Sequence, residues 1–221
     1  MFKPVPSEEI YRKLLHGLVV FFPVGVFYGP TYFHVCPRII AAFCLGVLLL
    51  SFAIELFRFR SKIFGSWYFS TFGSLLREEE RFQLTGATFV ASSIFLCSFL
   101  SLQSERMAAS AFLCMSLFVL GDAAAALTGK SMGRFAIGQK TLEGGLGCFG
   151  VCLVLSYLVF PILPGFLAKW GGGLSFGQCA VLALLVSVME LFPIKIRGYQ
   201  MNDNLYVPVV ATLFAYFALL P

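Results

Sequence analysis

The chain has 221 residues, of which 59% are apolar and only 12% charged, with a mean hydropathy of +0.88. That composition excludes a soluble globular domain and fits a polytopic membrane protein. The net charge of +5 suits anionic head groups or nucleotide phosphates, and no aromatic-interleaved basic patch points to nucleic acid.

A span needs about 20 mostly apolar residues, and candidates run Leu14–Phe33, Ile39–Phe57, Phe82–Leu102, Met107–Leu127, Gly144–Leu163, Leu174–Ile194 and Leu205–Leu220. The expectation is an all-α bundle of about seven transmembrane helices, a single domain over 1–221. The first run follows Arg12 and Lys13 as a signal peptide would, but it is too long, contains His16, Gly17 and Pro23, and lacks a small-x-small cleavage site. Cysteines 36, 44, 97, 114, 148, 152 and 179 lie in or beside apolar runs without a disulfide framework and read as small buried residues.

Basic residues fix the expected orientation. Lys3, Arg12, Lys13, Arg58, Arg60, Lys62, Arg77, Arg81, Lys130, Arg134, Lys140, Lys195 and Arg197 fall on the side of the N-terminus, against Arg38, Arg106 and Lys169 on the other. The N-terminal side is therefore expected to be cytoplasmic. Between Arg58 and Arg81, Ile63, Phe64, Trp67, Tyr68, Phe69, Phe72, Leu75 and Leu76 alternate with Ser, Gly and Lys, which reads as an interfacial amphipathic stretch.

The acids share a depth. At about 1.5 Å per residue, Glu55, Asp122 and Glu190 lie roughly 22–24 Å from the far ends of their spans, just beneath the cytoplasmic face of a core about 30 Å thick. An acid inside a span is costly and is a functional candidate by default. Each also has a structural alternative: Arg58 at i+3 from Glu55, Lys195 near Glu190, Lys130 or Arg134 near Asp122. His16 lies at the same level and shares a face with Arg12 at i,i+4, which suits a phosphate or head-group contact.

The stretch from Gly121 to Gly145 joins two spans. It carries Gly129, Lys130, Gly133, Arg134, Gly138, Lys140, Thr141, Glu143, Gly144 and Gly145, with Asp122 near its start. Glycines let backbone amides approach a phosphate, cations neutralise it, and Asp122 and Glu143 are hard oxygen donors of the kind Mg²⁺ takes. The spacing is not that of a Walker loop. A second polar cluster, Asn202-Asp203-Asn204, precedes Pro208, where the last span is expected to begin after irregular backbone, and it offers further metal or nucleotide contacts.

The pattern Asp122…Gly129-Lys130…Gly133-Arg134…Lys140-Thr141-x-Glu143-Gly144, then Glu190, then Asp203-Asn204-x-x-x-Pro208, resembles the CTP-dependent polyprenol kinase family, which includes dolichol and phytol kinases and a CTP-dependent diacylglycerol kinase. Arg12-Lys13-x-x-His16 and Arg77-x-x-Glu80 also match family habits. The resemblance implies γ-phosphoryl transfer from CTP, with Mg²⁺, to the hydroxyl of a membrane alcohol, at a site facing the cytoplasm. It implies phosphate contacts from Lys130, Arg134 and Lys140. Asp122, Glu143 and Asp203 would hold metal or activate the hydroxyl, and Glu190 and Asn204 would complete the site. Glu55, Arg77, Glu80, Arg12 and His16 are further lipid or phosphate candidates. Phosphatidate cytidylyltransferase has a similar Lys-Thr-x-Glu-Gly turn, but its C-terminal Lys-Arg…Lys-Asp…Gly-Gly…Asp-Arg pattern is absent here. An ion-coupled transporter or flippase would need polar residues through the whole bilayer depth, and the outer halves of these spans are nearly charge-free.

Overall fold

The computed structural model describes residues 4–196 and 199–219; Lys3, Arg197 and Leu220 lie outside them. The described chain is nearly all-α. Helices α1 (Ser7–Leu18) and α2 (Phe21–Tyr32) form one apolar rod, followed by α3 (Pro37–Arg60) and α4 (Lys62–Phe72). Two 3₁₀ turns, Gly73–Leu75 and Glu78–Arg81, lead to α5 (Gly86–Leu100) and α6 (Glu105–Met132). A hairpin of β1 (Ala136–Ile137) and β2 (Lys140–Thr141) precedes α7 (Leu142–Val154), which runs on through a π turn to Ile162. After α8 (Phe166–Trp170) and α9 (Phe176–Leu191), a second hairpin, β3 (Lys195–Ile196) with β4 (Tyr199–Gln200), leads into α10 (Asp203–Phe214).

Among the described residues, four helices are long and apolar enough to cross a membrane: Ser7–Tyr32, Pro37–Arg60, Glu105–Met132 and Leu142–Ile162. The other three expected spans appear as shorter apolar helices, Gly86–Leu100, Phe176–Leu191 and Asp203–Leu219. Local chemistry trims them. Phe82–Leu84 is outside α5, whose start Glu80 caps by accepting the Gly86 amide at 2.8 Å. Pro193 disfavours helix at Phe192, so α9 stops at Leu191.

Two boundaries correct the sequence reading. Helix α6 continues five residues past the expected Leu127, so Gly129 and Lys130 lie on its last turns rather than in a loop. The Gly133 amide closes that end on the Gly129 carbonyl at 2.9 Å. Helix α10 begins at Asp203, not near Pro208, because Asn202 caps it by accepting the Asn204 amide at 3.1 Å. Pro208 then sits inside the helix, where it cannot donate to the Asn204 carbonyl.

Helix α6 is the axis of the bundle, with α1, α2, α5, α7, α8, α9 and α10 all packed on it. Its contact with α7 depends on glycine. A Cβ on Gly121 would lie 2.8 Å from the Sγ atoms of both Cys148 and Cys152. Gly121→Val is therefore expected to destabilise the protein by about 1–3 kcal/mol, the usual cost of overpacking, measured as a lowered unfolding midpoint in detergent. Farther along, Phe27, Phe112, Phe160, Phe166 and Trp170 pack into a buried aromatic cluster.

Helix α1 is amphipathic in an unusual sense. Glu9 and Lys13 are buried and His16 is half-buried on the same side, while Tyr11, Leu14, Leu15 and Leu18 are exposed. The spacing i, i+4, i+7 puts the three polar groups on one helical face. That face turns toward α6, and the leucines are left exposed on the opposite side.

Candidate active site

A cavity of about 630 Å³ opens at the end of α6 that carries Asp122 and Lys130. Its walls come from α1, the 77–84 segment, α5, α6, the first hairpin, the start of α7, the end of α9 and residues 200–203. The charged lining is nearly balanced: Glu9, Glu79, Glu80, Asp122, Glu190 and Asp203 face Arg12, Lys13, Arg77, Lys130 and Lys140.

The balance is made pair by pair. Lys13 Nζ of α1 donates to Asp122 Oδ2 of α6 at 2.5 Å, with both side chains close to fully buried. His16 Nε2 lies 3.4 Å from the same oxygen, is buried, and has no hydrogen-bond partner. Lys130 Nζ donates to Glu9 Oε2, and Arg12 Nη2 holds both Glu9 oxygens at 2.6 and 2.7 Å. Lys140 Nζ, on β2, donates to Glu190 Oε1 and, at 2.9 Å, to Asp203 Oδ2. Burial alone would lower the pKa of Lys140, but the Asp203 and Glu190 carboxylates outweigh it and hold the ammonium above the ordinary lysine range.

The backbone around these groups is braced by short polar side chains. Thr141 caps α7, its Oγ1 accepting the Gly144 amide at 3.2 Å. Gly129 and Gly144 pack against each other through this hydroxyl: a Cβ on Gly129 would meet Thr141 Oγ1 at 2.7 Å, and one on Gly144 would meet the Ala125 carbonyl at 2.8 Å. These glycines serve helix packing as well as lining the cavity.

Of the residues expected at one site, Asp122, Glu190, Asp203, Gly129, Lys130, Lys140, Thr141 and Gly144 line the cavity, as do Arg12, Arg77 and Glu80. Five others do not. Glu143 points to the hairpin, where both its oxygens accept the Phe135 amide at 3.3 Å. Arg134 is exposed, and Gly133 packs on Thr141. Asn204 sits behind its cap, within reach of Gly86. Glu55 is committed elsewhere: Arg58 binds its Oε2, and the Thr85 amide and hydroxyl donate to its Oε1 at 2.9 and 2.7 Å. The i+3 pairing with Arg58 is the structural alternative for Glu55, and it is the arrangement found. His16 stands one layer behind the lining, on Asp122. Glu190 pairs with Lys140 rather than Lys195, and Asp122 with Lys13 rather than Lys130 or Arg134.

Glu9, Lys13 and Glu79 are charged cavity residues that sequence reasoning passed over as site members, and the first two carry ion pairs of the lining. The signal was present: Glu9, Arg12, Lys13 and His16 recur at i, i+3, i+4 and i+7 just before an apolar run. Among the described residues, no three His, Cys, Asp or Glu side chains cluster as a self-sufficient metal cage. No family model, no curated protein and no solved structure matches this chain.

Proposed function

We propose that this protein transfers the γ-phosphoryl group of a nucleoside triphosphate, CTP by the family resemblance, to the hydroxyl of a membrane-embedded lipid alcohol. The observation that carries the reading is the convergence of Asp122, Glu190 and Asp203 with Lys130 and Lys140 on one cavity at one end of the bundle. Phosphoryl transfer asks mainly for positioning and charge neutralisation, which such a lining provides. In this reading Lys130, Lys140, Arg12 and Arg77 receive phosphate oxygens. Asp122 accepts the proton of the acceptor hydroxyl, and Lys13 holds it in place.

Glu190 and Asp203 suit Mg²⁺ by the chemistry of their donor set. Two hard carboxylates converge on one cationic point, and one or two carboxylates suffice when phosphates supply the remaining ligands. Mg²⁺ bound there with nucleotide would neutralise charge on the transferred group. Glu143 is left out of this set, since it braces the hairpin.

The topology in this reading has the three shorter apolar helices crossing beside the four long ones, with the cavity facing the cytoplasm by the excess of Lys and Arg on that side. The nucleotide then arrives from water while the alcohol stays in the bilayer. The exposed Ile63, Trp67 and Phe72 of α4 support an interfacial position for that helix.

Detergent-purified protein is expected to move label from γ-labelled CTP into a lipid extract when supplied with a polyprenol, phytol or diacylglycerol. No transfer from any nucleotide to any of these alcohols would end the proposal. Incorporation from the α position with release of pyrophosphate would replace it with a cytidylyltransferase.

A further inference from the structure

Three lysines from three separate elements each rest on a cavity carboxylate, but Lys140 is unlike the other two. Lys13 and Lys130 project from helices of the bundle, whereas Lys140 is carried on a two-residue strand of a hairpin whose turn contains Gly138 at φ +60°. Lys140 also engages two acids at once, Glu190 from the end of α9 and Asp203 from the start of α10. Its ammonium is the shared counter-ion of two carboxylates that otherwise face each other as like charges across the cavity. An ammonium is a compact charge on a flexible stem, so it can move between partners without disturbing the helices.

A divalent cation and the Lys140 ammonium cannot both sit between Glu190 and Asp203, because two positive charges would then share one pair of acids at close range. Metal alone must therefore displace the lysine with nowhere favourable to send it. A polyphosphate changes this: its oxygens accept the ammonium in charge-assisted hydrogen bonds, and the acids become free for metal.

We propose that Lys140 is a tethered cation that closes the Glu190–Asp203 pair to divalent metal until nucleotide phosphates draw its ammonium away, so that metal and nucleotide bind as a coupled pair. This rests on reading the cavity as a nucleotide site. By linkage, each ligand raises the affinity for the other by the same factor.

The test uses the full chain in detergent micelles, with Mn²⁺ as the metal probe followed by electron paramagnetic resonance in the absence of nucleotide. Lys140→Gln is expected to bind Mn²⁺ at least about tenfold more tightly than the wild type, within the usual range of coupling between two sites. Lys140→Arg keeps the charge and is expected to stay at the wild-type level. The added change Asp203→Asn is expected to remove the gain. Loss of the gain with Asp203→Asn ties it to this acid pair rather than to carboxylates exposed by misfolding. Wild-type protein that already binds Mn²⁺ as tightly as Lys140→Gln would overturn the proposal, as would a gain that survives Asp203→Asn. A second arm measures retention of labelled CTP by equilibrium dialysis with and without Mn²⁺. Mn²⁺ is expected to raise CTP affinity strongly in the wild type and much less in Lys140→Gln; equal enhancement in both would overturn the coupling. If neither protein retains CTP, the nucleotide reading falls, while the first arm still decides whether Lys140 guards the acid pair.

Discussion

Asp122→Asn is expected to lower the rate of phosphoryl transfer from CTP to a lipid alcohol by about 10²–10⁴, the contribution of a positioned general base. The substitution keeps the shape of the side chain but leaves the buried Lys13 ammonium without its counter-charge, so stability is expected to fall as well and the comparison is made on folded protein. The Asn side chain keeps the size of Asp and an oxygen that can still accept from Lys13, which donates to Asp122 Oδ2 at 2.5 Å. What it loses is the negative charge and the ability to take a proton. Single-turnover rates with γ-labelled CTP, set beside CTP binding measured by dialysis, separate the two effects: the rate falls and binding stays within a few-fold. A rate that does not fall would make Asp122 a buried counter-ion for Lys13, and the base would have to be sought among Glu190 and Asp203.

Arg58→Met is expected to cost about 3–5 kcal/mol of stability, the usual effect of removing one partner from a buried ion pair. Arg58 and Glu55 are both close to fully buried, with side-chain exposures of 1% and 4%. The guanidinium also donates to the backbone carbonyls of Glu80 at 2.6 Å and Gln83 at 2.7 Å, and it lies over the rings of Phe59, Tyr68 and Phe69. One side chain thus ties α3 to α4 and to the segment leading into α5. Its loss leaves the Glu55 carboxylate without its only cationic partner among the described residues. The double change Arg58→Met with Glu55→Met is expected to recover much of the loss, since replacing both partners of such a pair by apolar groups is often close to neutral. Unfolding midpoints in a fixed detergent measure both. A double variant as unstable as Arg58→Met alone would mean that the carbonyl bonds, not the ion pair, hold the segment.

These two residues show how far the sequence could be read. Depth along a helix is a simple consequence of the rise per residue, so Asp122 and Glu190 could be assigned to one level, and both line the cavity. The same arithmetic put Glu55 at that level, but depth does not reveal which way a side chain turns around the helix axis. Glu55 turns toward Arg58 and Thr85, away from the cavity. Helix limits set by apolar content alone missed the caps: Asn202 starts α10 before Pro208, and an unbroken run without proline carries α6 to Met132. Partner choice was the least legible feature. Lys13 and Asp122 lie 109 residues apart and Lys130 and Glu9 lie 121 apart, and only the packing of α1 on α6 joins them. Glu143 shows the opposite limit, since a carboxylate next to cavity residues in sequence is spent on the Phe135 amide.

The outward leucines and inward charges of α1 also bear on how the chain is built. When α1 leaves the ribosome, Lys130 and Asp122, the α6 partners of Glu9 and Lys13, have not been synthesised, and a helix with that polar stripe is poorly accepted by hydrocarbon. It is expected to wait flat on the bilayer surface and to dock only after α6 has been inserted. A single cysteine placed at Leu14 of α1 should then stay open to a water-borne thiol reagent in a nascent chain truncated before Glu105 and become protected in one extended past Met132.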